Sequence, residues 1–326
     1  MNNSFTIARR DFLKISAGLS LAVGMAGTSS LRGAAIPNQR WVTAIRDGHL
    51  KATGKLDCWA ALKALDVTGV EVVLTEALLC PGLYGADNPY TVATDDGIKR
   101  LKDDLAAHGA TITAFAMFNR LDERLEEEIA WAKKVAGAAK AFGVKAVRID
   151  VVPHKLAVDQ FLPLAIKACQ QFCEVVKDTP IRFGVENHSR VTNDPAFLDK
   201  LFDGVGSAQL GLTLDALNFY WFGHPLDQVY ELCEKYAARV FHTHCKSLRY
   251  PAEKRNVRRP MGWEYAKYAA PIYDGDLDYR RITASLRQAG YQGDLCLENE
   301  CLAHFPKEQH TAILKKEIDL LKSLAA

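Results

Sequence analysis

Eight short runs of β-branched and aromatic residues recur along the chain from about residue 40, each followed by a stretch with helical periodicity. They read as strands: "RWVTAI" (40–45), "VEVVLTE" (70–76), "ATITAFAM" (110–117), "VKAVRIDVV" (144–152), "IRFGVEN" (181–187), "QLGLTLD" (209–215), "RVFHTHC" (239–245) and "GDLCLEN" (293–299). Between them lie amphipathic stretches such as "ERLEEEIAWAKKVAGAAKAFG" and "LDQVYELCEKYAA". One helix is announced by "NDPAF", a capping residue followed by Pro near the first turn, and Gly109, Gly143, Gly206 and Gly290 stand where helices stop before the next strand. Strand–helix alternation makes successive strands parallel, and eight repeats are the number that closes into a (β/α)8 barrel. A doubly wound open sheet is the runner-up. It would carry a Gly-rich phosphate loop after its first strand, and "AIRDGHLKATG" is not one. The fold class expected is therefore α/β, a (β/α)8 TIM barrel in a single domain over residues 36–326, since no Pro/Gly/Ser-rich linker divides the chain.

Residues 1–35 read differently. In "ARRDFLKISAGLSLAVGMAG", Arg9 and Arg10 precede Phe12, Leu13 and Lys14, and a short Ala/Gly-rich apolar stretch follows, then small residues in "RGAA". The stretch is too short to span a bilayer comfortably, and the pattern resembles a twin-arginine signal peptide, which predicts export of a folded protein to the periplasm or another extracytoplasmic compartment; an amphipathic N-terminal helix or an uncleaved anchor is the other reading. The mature chain is then expected to keep no stable membrane span. Removing the segment takes away Arg9, Arg10, Lys14 and Arg32 with Asp11, so the formal balance moves from +2 to about −1. Such a surface exerts no general pull on nucleic acid, and a small-molecule partner is expected instead. The eight cysteines are scattered through apolar patterns with no Cys-x-x-Cys among them, which suits buried small hydrophobes better than disulfides or a thiolate metal site.

Functional side chains of such a barrel sit where strands end at their C-terminal edge. Strand five ends in Glu186 ("GVENHS"), strand six in Asp215 ("LTLDALN"), strand seven in His244 ("FHTHCKS") and strand eight in Glu298 ("LCLENE"). The spacings are 29, 29 and 54 residues: one βα unit, another, and a unit with an inserted loop. A single carboxylate at a strand end is commonly a helix cap. Four polar ligands in register on adjacent strands are not, because carboxylates converging in a barrel mouth repel unless a cation neutralises them. Three oxygen donors with one imidazole suit Mn²⁺ or Mg²⁺, with Co²⁺ or Zn²⁺ as further candidates.

The stretches "GVENHS", "LTLDALN", "HTHCKS" and "AGYQGDLCLENE", with "DVTGVEVVLTE" and "AKAFGVKAVRID" earlier, resemble the xylose isomerase-like barrel superfamily, in particular its sugar phosphate isomerase/epimerase group. The resemblance covers most of the chain after the signal and implies one divalent metal held by Glu186, Asp215, His244 and Glu298. It also implies that the two glutamates flank the substrate and shuttle a proton, so that Glu186 and Glu298 are the expected catalytic residues. Proton return to the other face of the same carbon is epimerisation and return to the next carbon is isomerisation. A leaving group β to the carbanion turns the same machinery into a lyase or hydratase, as for 3-keto-sugars. Many epimerases carry Asp-x-x-His on strand six where this chain has Asp215-x-x-Asn218. Related DNA-repair endonucleases use three metals and extra histidines on early strands; "LTEALLC" and "AFAMFNR" have none. Export favours a free sugar, keto-sugar or glycoside over a sugar phosphate, and a pocket kept for sugar binding without catalysis is the reading from a different class.

Further candidates surround the four. His188 two residues past Glu186, Asn218, Lys246 at the mouth and His154 in "VVPH" are expected to contact substrate. His242 shares side-chain parity with His244 and is expected deeper in the barrel. Trp221, Trp263 and "NFYWFG" offer an apolar wall or simply core. The connection after strand seven carries seven basic and two acidic residues between Lys246 and Lys267. It reads either as a lid meeting an anion or as a surface loop that could serve a homo-oligomer contact.

Overall fold

The computed structural model describes residues 40–326 other than Ala86. The segment expected to be an export signal lies outside the described residues. The strands are β1 (Val42–Arg46), β2 (Gly69–Val73), β3 (Thr111–Ala116), β4 (Ala146–Ile149), β5 (Arg182–Glu186), β6 (Leu210–Asp215), β7 (Val240–Cys245), the two-residue β8 (Ser247–Leu248) and β9 (Ala269–Ala270), and β10 (Asp294–Leu297). Strands β1 to β7 and β10 close into a barrel in the order β1-β10-β7-β6-β5-β4-β3-β2, every neighbouring pair parallel. This is the (β/α)8 barrel that the alternation predicts, and each strand read from the sequence is present.

Strand ends differ from the sequence pattern where side chains compete for the backbone. "VKAVRIDVV" is apolar over most of its length, yet β4 stops at Ile149 because the Asp150 amide is taken by Asn119 Oδ1 at 3.2 Å instead of by a neighbouring strand. Helices begin and end as their punctuation dictates. Asp194 caps the helix Pro195–Val205 by accepting from the Ala196 amide, with Pro195 at the first position, where its missing N–H is not needed. The helix Leu125–Phe142 stops at Gly143, whose φ of 70° is the left-handed cap that costs glycine little.

Because helices cover the outside of a parallel barrel, its strands are buried on both faces and read as near-continuous apolar runs. The charged residues that interrupt them are therefore informative. Glu71 in β2 and Arg148 in β4 are 0% and 2% exposed, and both are drawn into the polar interior beneath the barrel mouth. All eight cysteines are buried and unbridged, as their apolar surroundings predict. No helix among the described residues is long and apolar enough to cross a membrane.

The inserted segment between β7 and β10 folds onto the barrel through the antiparallel β8–β9 pair. Its arginines are committed within the segment and to the stretch Tyr220–His224 that follows β6. Arg259 lies between the rings of Tyr220 and Tyr250 at 4.3 and 4.6 Å and donates to the carbonyls of Tyr220, His224, Lys254, Arg255 and Val257. Arg255 pairs with Asp276 and Arg249 with Asp274, while Arg258 stacks on Phe222. Trp263 packs against Tyr250 and Tyr268. The basic stretch is thus fastened by ion pairs and rings of its own and by the rings and carbonyls of Tyr220–His224, which the composition did not show.

The C-terminal helix Lys307–Ala325 locks this segment to the barrel through Glu317, which accepts from the Ile272 amide at 2.9 Å and from Asn299 Nδ2 at 2.6 Å. Burial pushes the Glu317 carboxyl from 4.5 up to about 7, against the pull of those two donors. A carboxyl whose folded value is raised stabilises the fold fully below its unfolded value and loses that contribution as pH climbs through the folded one. Wild type should therefore lose stability relative to Glu317→Gln between pH 4.5 and 7, by up to about 1.4 kcal/mol per pH unit. Urea midpoints of the two proteins across that range, in chelator, test it. Asp47, raised to about 7 by burial, is common to both and cancels in the difference. A difference that stays flat with pH would refute the assignment.

Candidate metal centre

The C-terminal edge of the barrel brings together the four residues expected as ligands. Glu186 and Asp215 are the last residues of β5 and β6, His244 is the penultimate residue of β7, and Glu298 follows β10 directly. One ligand atom from each lies within 4.8 Å of the others, and all four side chains are buried. His244 Nδ1 is 3.2 Å from Glu186 Oε1 and 3.3 Å from Glu298 Oε2. Two glutamates from opposite flanks of β6 and β7 thus face one imidazole nitrogen.

Each carboxylate has its own cation. Arg148 grips Glu186 through both Nε, at 2.7 Å, and Nη2; Arg46 pairs with Glu298. Lys246 Nζ lies 3.0 Å from Asp215 Oδ2, 2.9 Å from Glu298 Oε2 and 2.9 Å from Glu300 Oε1. Burial alone would raise the Glu186 and Glu298 carboxyls. The Arg148 guanidinium for Glu186 and the Lys246 ammonium for Glu298, together with His244, outweigh it and hold both well below the usual carboxylate range. Asp215 is different. Burial pushes it up to about 7, Lys246 opposes this, and the neighbouring Glu298 and Glu186 add to the rise. Lys246 itself is held well above the ordinary lysine range, because Asp215, Glu298 and Glu300 overcome its burial.

The donor set fits a divalent ion on a feature of its own geometry. Asp215 Oδ2 and Glu298 Oε2 are fully buried and accept no hydrogen bond; Lys246 stands at ion-pair distance from both, yet its hydrogen bond is aligned on Glu300. Two orphaned carboxylate oxygens converging with an imidazole nitrogen and a further carboxylate demand a positive charge. Glu186, Asp215, His244 and Glu298 would hold it.

The other expected site residues divide. Asn218 is brought in, its Nδ2 donating to Glu186 Oε1 at 3.1 Å and its amide to Asp215 Oδ1 at 3.2 Å. Lys246 belongs to the cluster as an ion-pair partner of the carboxylates. His188 stands at the mouth, largely exposed, 3.6 Å from Asp150. His154 is not brought in: β4 ends five residues before it, its side chain is exposed, and its amide is held by the Asp122 carboxylate. What strand four delivers instead is Arg148 and Asp150, paired at 2.8 Å. His242 sits below the centre, between Asp294 and Glu71.

Sequence reasoning passed over Arg46, Glu71, Arg148, Asp150, Glu300 and His49, the last accepting the Asn299 amide at 3.2 Å through Nε2 and lowered to about 4 by burial. A signal was available for two of them: a charge amid an apolar strand of a closed barrel has only the interior to go to, as in "GVEVV" and "AVRID". Phe118, 44% exposed, covers the guanidinium of Arg148 at 4.7 Å and is an apolar surface beside the centre. A cavity of about 300 Å³ opens at the opposite, N-terminal end of the barrel, where Lys145, Arg182, Phe241 and Asp294 line it and no ligand cluster is gathered among the described residues.

Purified protein is expected to bind about one divalent ion per chain, and Asp215→Ala or His244→Ala should release it, read by elemental analysis after gel filtration. Full occupancy in both variants would mean that other residues hold the ion.

Residues 59–324 match the family described as the xylose isomerase-like TIM barrel. Solved structures of similar fold include a xylose isomerase-like TIM barrel protein from Mycobacterium smegmatis in complex with magnesium (17% identity, 88% of this chain and 98% of that chain covered, TM-score 0.63). A sugar phosphate isomerase/epimerase from Parabacteroides distasonis is 15% identical, with 89% and 96% covered and a TM-score of 0.60. The probable 3-DHS dehydratase AsbF from Bacillus anthracis is 16% identical, with 86% and 98% covered and a TM-score of 0.59. At these identities the likeness to the solved structures is one of fold. The comparison with curated proteins gives no match. The family match spans most of the barrel and all four converging residues, and the chain belongs to the xylose isomerase-like TIM barrel family.

Proposed function

We propose that the protein is a divalent-metal-dependent isomerase or epimerase that moves a proton beside the carbonyl of an uncharged sugar or keto-sugar. The observation that carries this reading is the pair of glutamates facing one another across His244 Nδ1, each kept ionised by its own cation. Two bases on either side of a bound carbon are what proton removal from one face and return to another require. Fold alone would leave the chemistry open.

An ion held by Glu186, Asp215, His244 and Glu298 would supply positive charge where the carbanion's negative charge develops. The chain's own groups do the rest. Glu298 Oε2 accepts no hydrogen bond and is the freer base, whereas Glu186 has Oε2 bound to Arg148 and Oε1 to Asn218. Glu298 therefore removes the proton, and Glu186, itself ionised, relays to the other face a proton that it first takes up from water. Arg46 and Arg148 hold the two carboxylates in place, and Phe118 offers its exposed ring to the apolar face of a sugar.

The charge balance supports an uncharged substrate. Arg46, Arg148 and Lys246 meet seven carboxylates (Glu71, Asp150, Glu186, Asp215, Asp294, Glu298 and Glu300), directly or through the histidines between them, and each of the three cations is already paired. A phosphorylated sugar would find no unpaired cation among these three. The paired arginines near the N-terminus support the same substrate class through export, since free sugars and glycosides suit an extracytoplasmic compartment.

A second reading is supported by Lys246, whose buried ammonium stands among Asp215, Glu298 and Glu300 where it can hydrogen-bond a leaving oxygen and offset its negative charge. With such a leaving group β to the carbanion, the enzyme is a lyase or hydratase acting on 3-keto-sugars or their glycosides.

NMR of the metal-loaded protein in D2O, with panels of free and 3-keto sugars, separates the two by showing which C–H exchanges and whether anything leaves. Glu186→Gln and Glu298→Gln should keep much of the metal and lose turnover about 10²–10⁴-fold. Glu298→Gln should also stop solvent deuterium exchange, while Glu186→Gln leaves exchange without net product. Wild-type turnover in both, with metal bound, would overturn proton shuttling by these glutamates.

A further inference from the structure

Beneath the metal centre the barrel interior is not apolar. His244 Nε2 lies 2.7 Å from Glu71 Oε2, which is 3.2 Å from His242 Nε2, and His242 Nδ1 is 2.7 Å from Asp294 Oδ1. Glu71 comes from β2, the histidines from β7 and Asp294 from β10, so three strands contribute to one column. Its members are 0 to 2% exposed, and it runs from the centre toward the cavity at the N-terminal end, which Asp294 lines. The two imidazole rings stand nearly perpendicular, at 82° with centroids 5.2 Å apart, and both point Nε2 at the same carboxylate oxygen.

We infer that Glu71, braced by His242 and Asp294, is a positioning residue for His244: it accepts the hydrogen bond of the Nε2–H, fixes the ring's tautomer and turns Nδ1 toward the ion. This rests on the metal reading above. A carboxylate can only accept, so a hydrogen bond from Nε2 leaves the Nδ1 lone pair free on the side where Glu186 and Glu298 stand. A carboxylate behind a ligating imidazole sets ring orientation and raises its basicity. His242 is placed to do for Glu71 what Glu71 does for His244. Its two nitrogens bridge Glu71 and Asp294, and the Asp294 carbonyl is itself tied to Tyr291 and Thr243 hydroxyls at 2.8 and 2.9 Å.

The geometry distinguishes this from a second ion site. Glu71, His242 and Cys296 also offer ligand atoms close together. Here, however, His242 Nε2, His244 Nε2, Cys296 Sγ at 3.7 Å and Arg46 Nε at 3.7 Å all converge on the single atom Glu71 Oε2. Donors gathered on one oxygen solvate a carboxylate; ligands of an ion would surround a point between them.

The test uses the full chain with Co²⁺ and Zn²⁺ as probes. Glu71→Gln and His242→Phe should weaken Co²⁺ binding about 10- to 100-fold in chelator competition and alter its visible absorption spectrum. His242→Gln, which keeps a side chain able to hydrogen-bond, should recover part of the affinity, and Cys296→Ala should leave affinity and spectrum unchanged. Wild-type affinity and spectrum in Glu71→Gln would overturn the inference while leaving the metal centre standing. A second ion per chain that Cys296→Ala removes would overturn it too, in favour of an ion at Glu71. Failure of wild type to bind any ion would overturn both the inference and the metal reading. Should the variants not fold, ¹⁵N-histidine NMR of the Zn²⁺-loaded wild type decides: His244 should carry its proton on Nε2, and a proton on Nδ1 would refute the arrangement.

Discussion

The structure turns on holding ionised carboxylates out of water. Glu186, Asp215 and Glu298 are 0 to 5% exposed within one small volume, where ionising each carboxyl costs several kcal/mol unless it is repaid locally. Asp215, the least repaid, is pushed up to about 7. The repayment is arranged strand by strand. Arg148 on β4 serves Glu186, Arg46 at the end of β1 serves Glu298, and Lys246 beyond β7 reaches Asp215, Glu298 and Glu300. A closed parallel barrel makes this feasible because every strand ends on the same rim, so cations and anions far apart in sequence arrive side by side.

The arrangement is layered. At the rim stand the oxygens that accept no hydrogen bond and would receive an ion; below them His244 joins the rim to Glu71, and Glu71 joins it to His242 and Asp294. Polar groups this deep are costly when left alone, and the column gives partners to Glu71 Oε2, to both nitrogens of His242 and to Asp294 Oδ1. The helices on the outside contribute by fixing the loops that carry the ligands. Glu317 on the last helix holds Asn299, the neighbour of Glu298, and the Asn299 side chain in turn caps the turn that follows through the Cys301 and Leu302 amides.

Much of this was legible before any coordinates. Strand ends could be counted along the chain, so Glu186, Asp215, His244 and Glu298 were placed on one edge by periodicity and the direction of the strands. Asn218 follows from its position in the first turn of the helix that Asp215 caps, where its amide donates to Asp215 Oδ1. His154 was misplaced for a reason the sequence conceals: "VRIDVVPH" looks like one strand, but Asn119 intercepts the backbone at Asp150 and Asp122 takes over the amides of His154, Lys155 and Leu156. The basic insertion had two readings, and its arginines turned out to be committed to carbonyls, aromatic rings and two aspartates of their own segment.

What the sequence by itself determined is the architecture and the rim. Alternation of strand and helix dictates a parallel barrel, and a parallel barrel dictates which end of each strand carries chemistry. What only the tertiary structure decided is which partners those residues meet. Glu71 and His244 are 173 positions apart, Arg46 and Glu298 are 252 apart, and no local pattern couples them. Their pairing is set by barrel closure and by the side-chain length needed to cross its interior. Periodicity gives the direction of a side chain; the charge that waits at its far end comes from another strand.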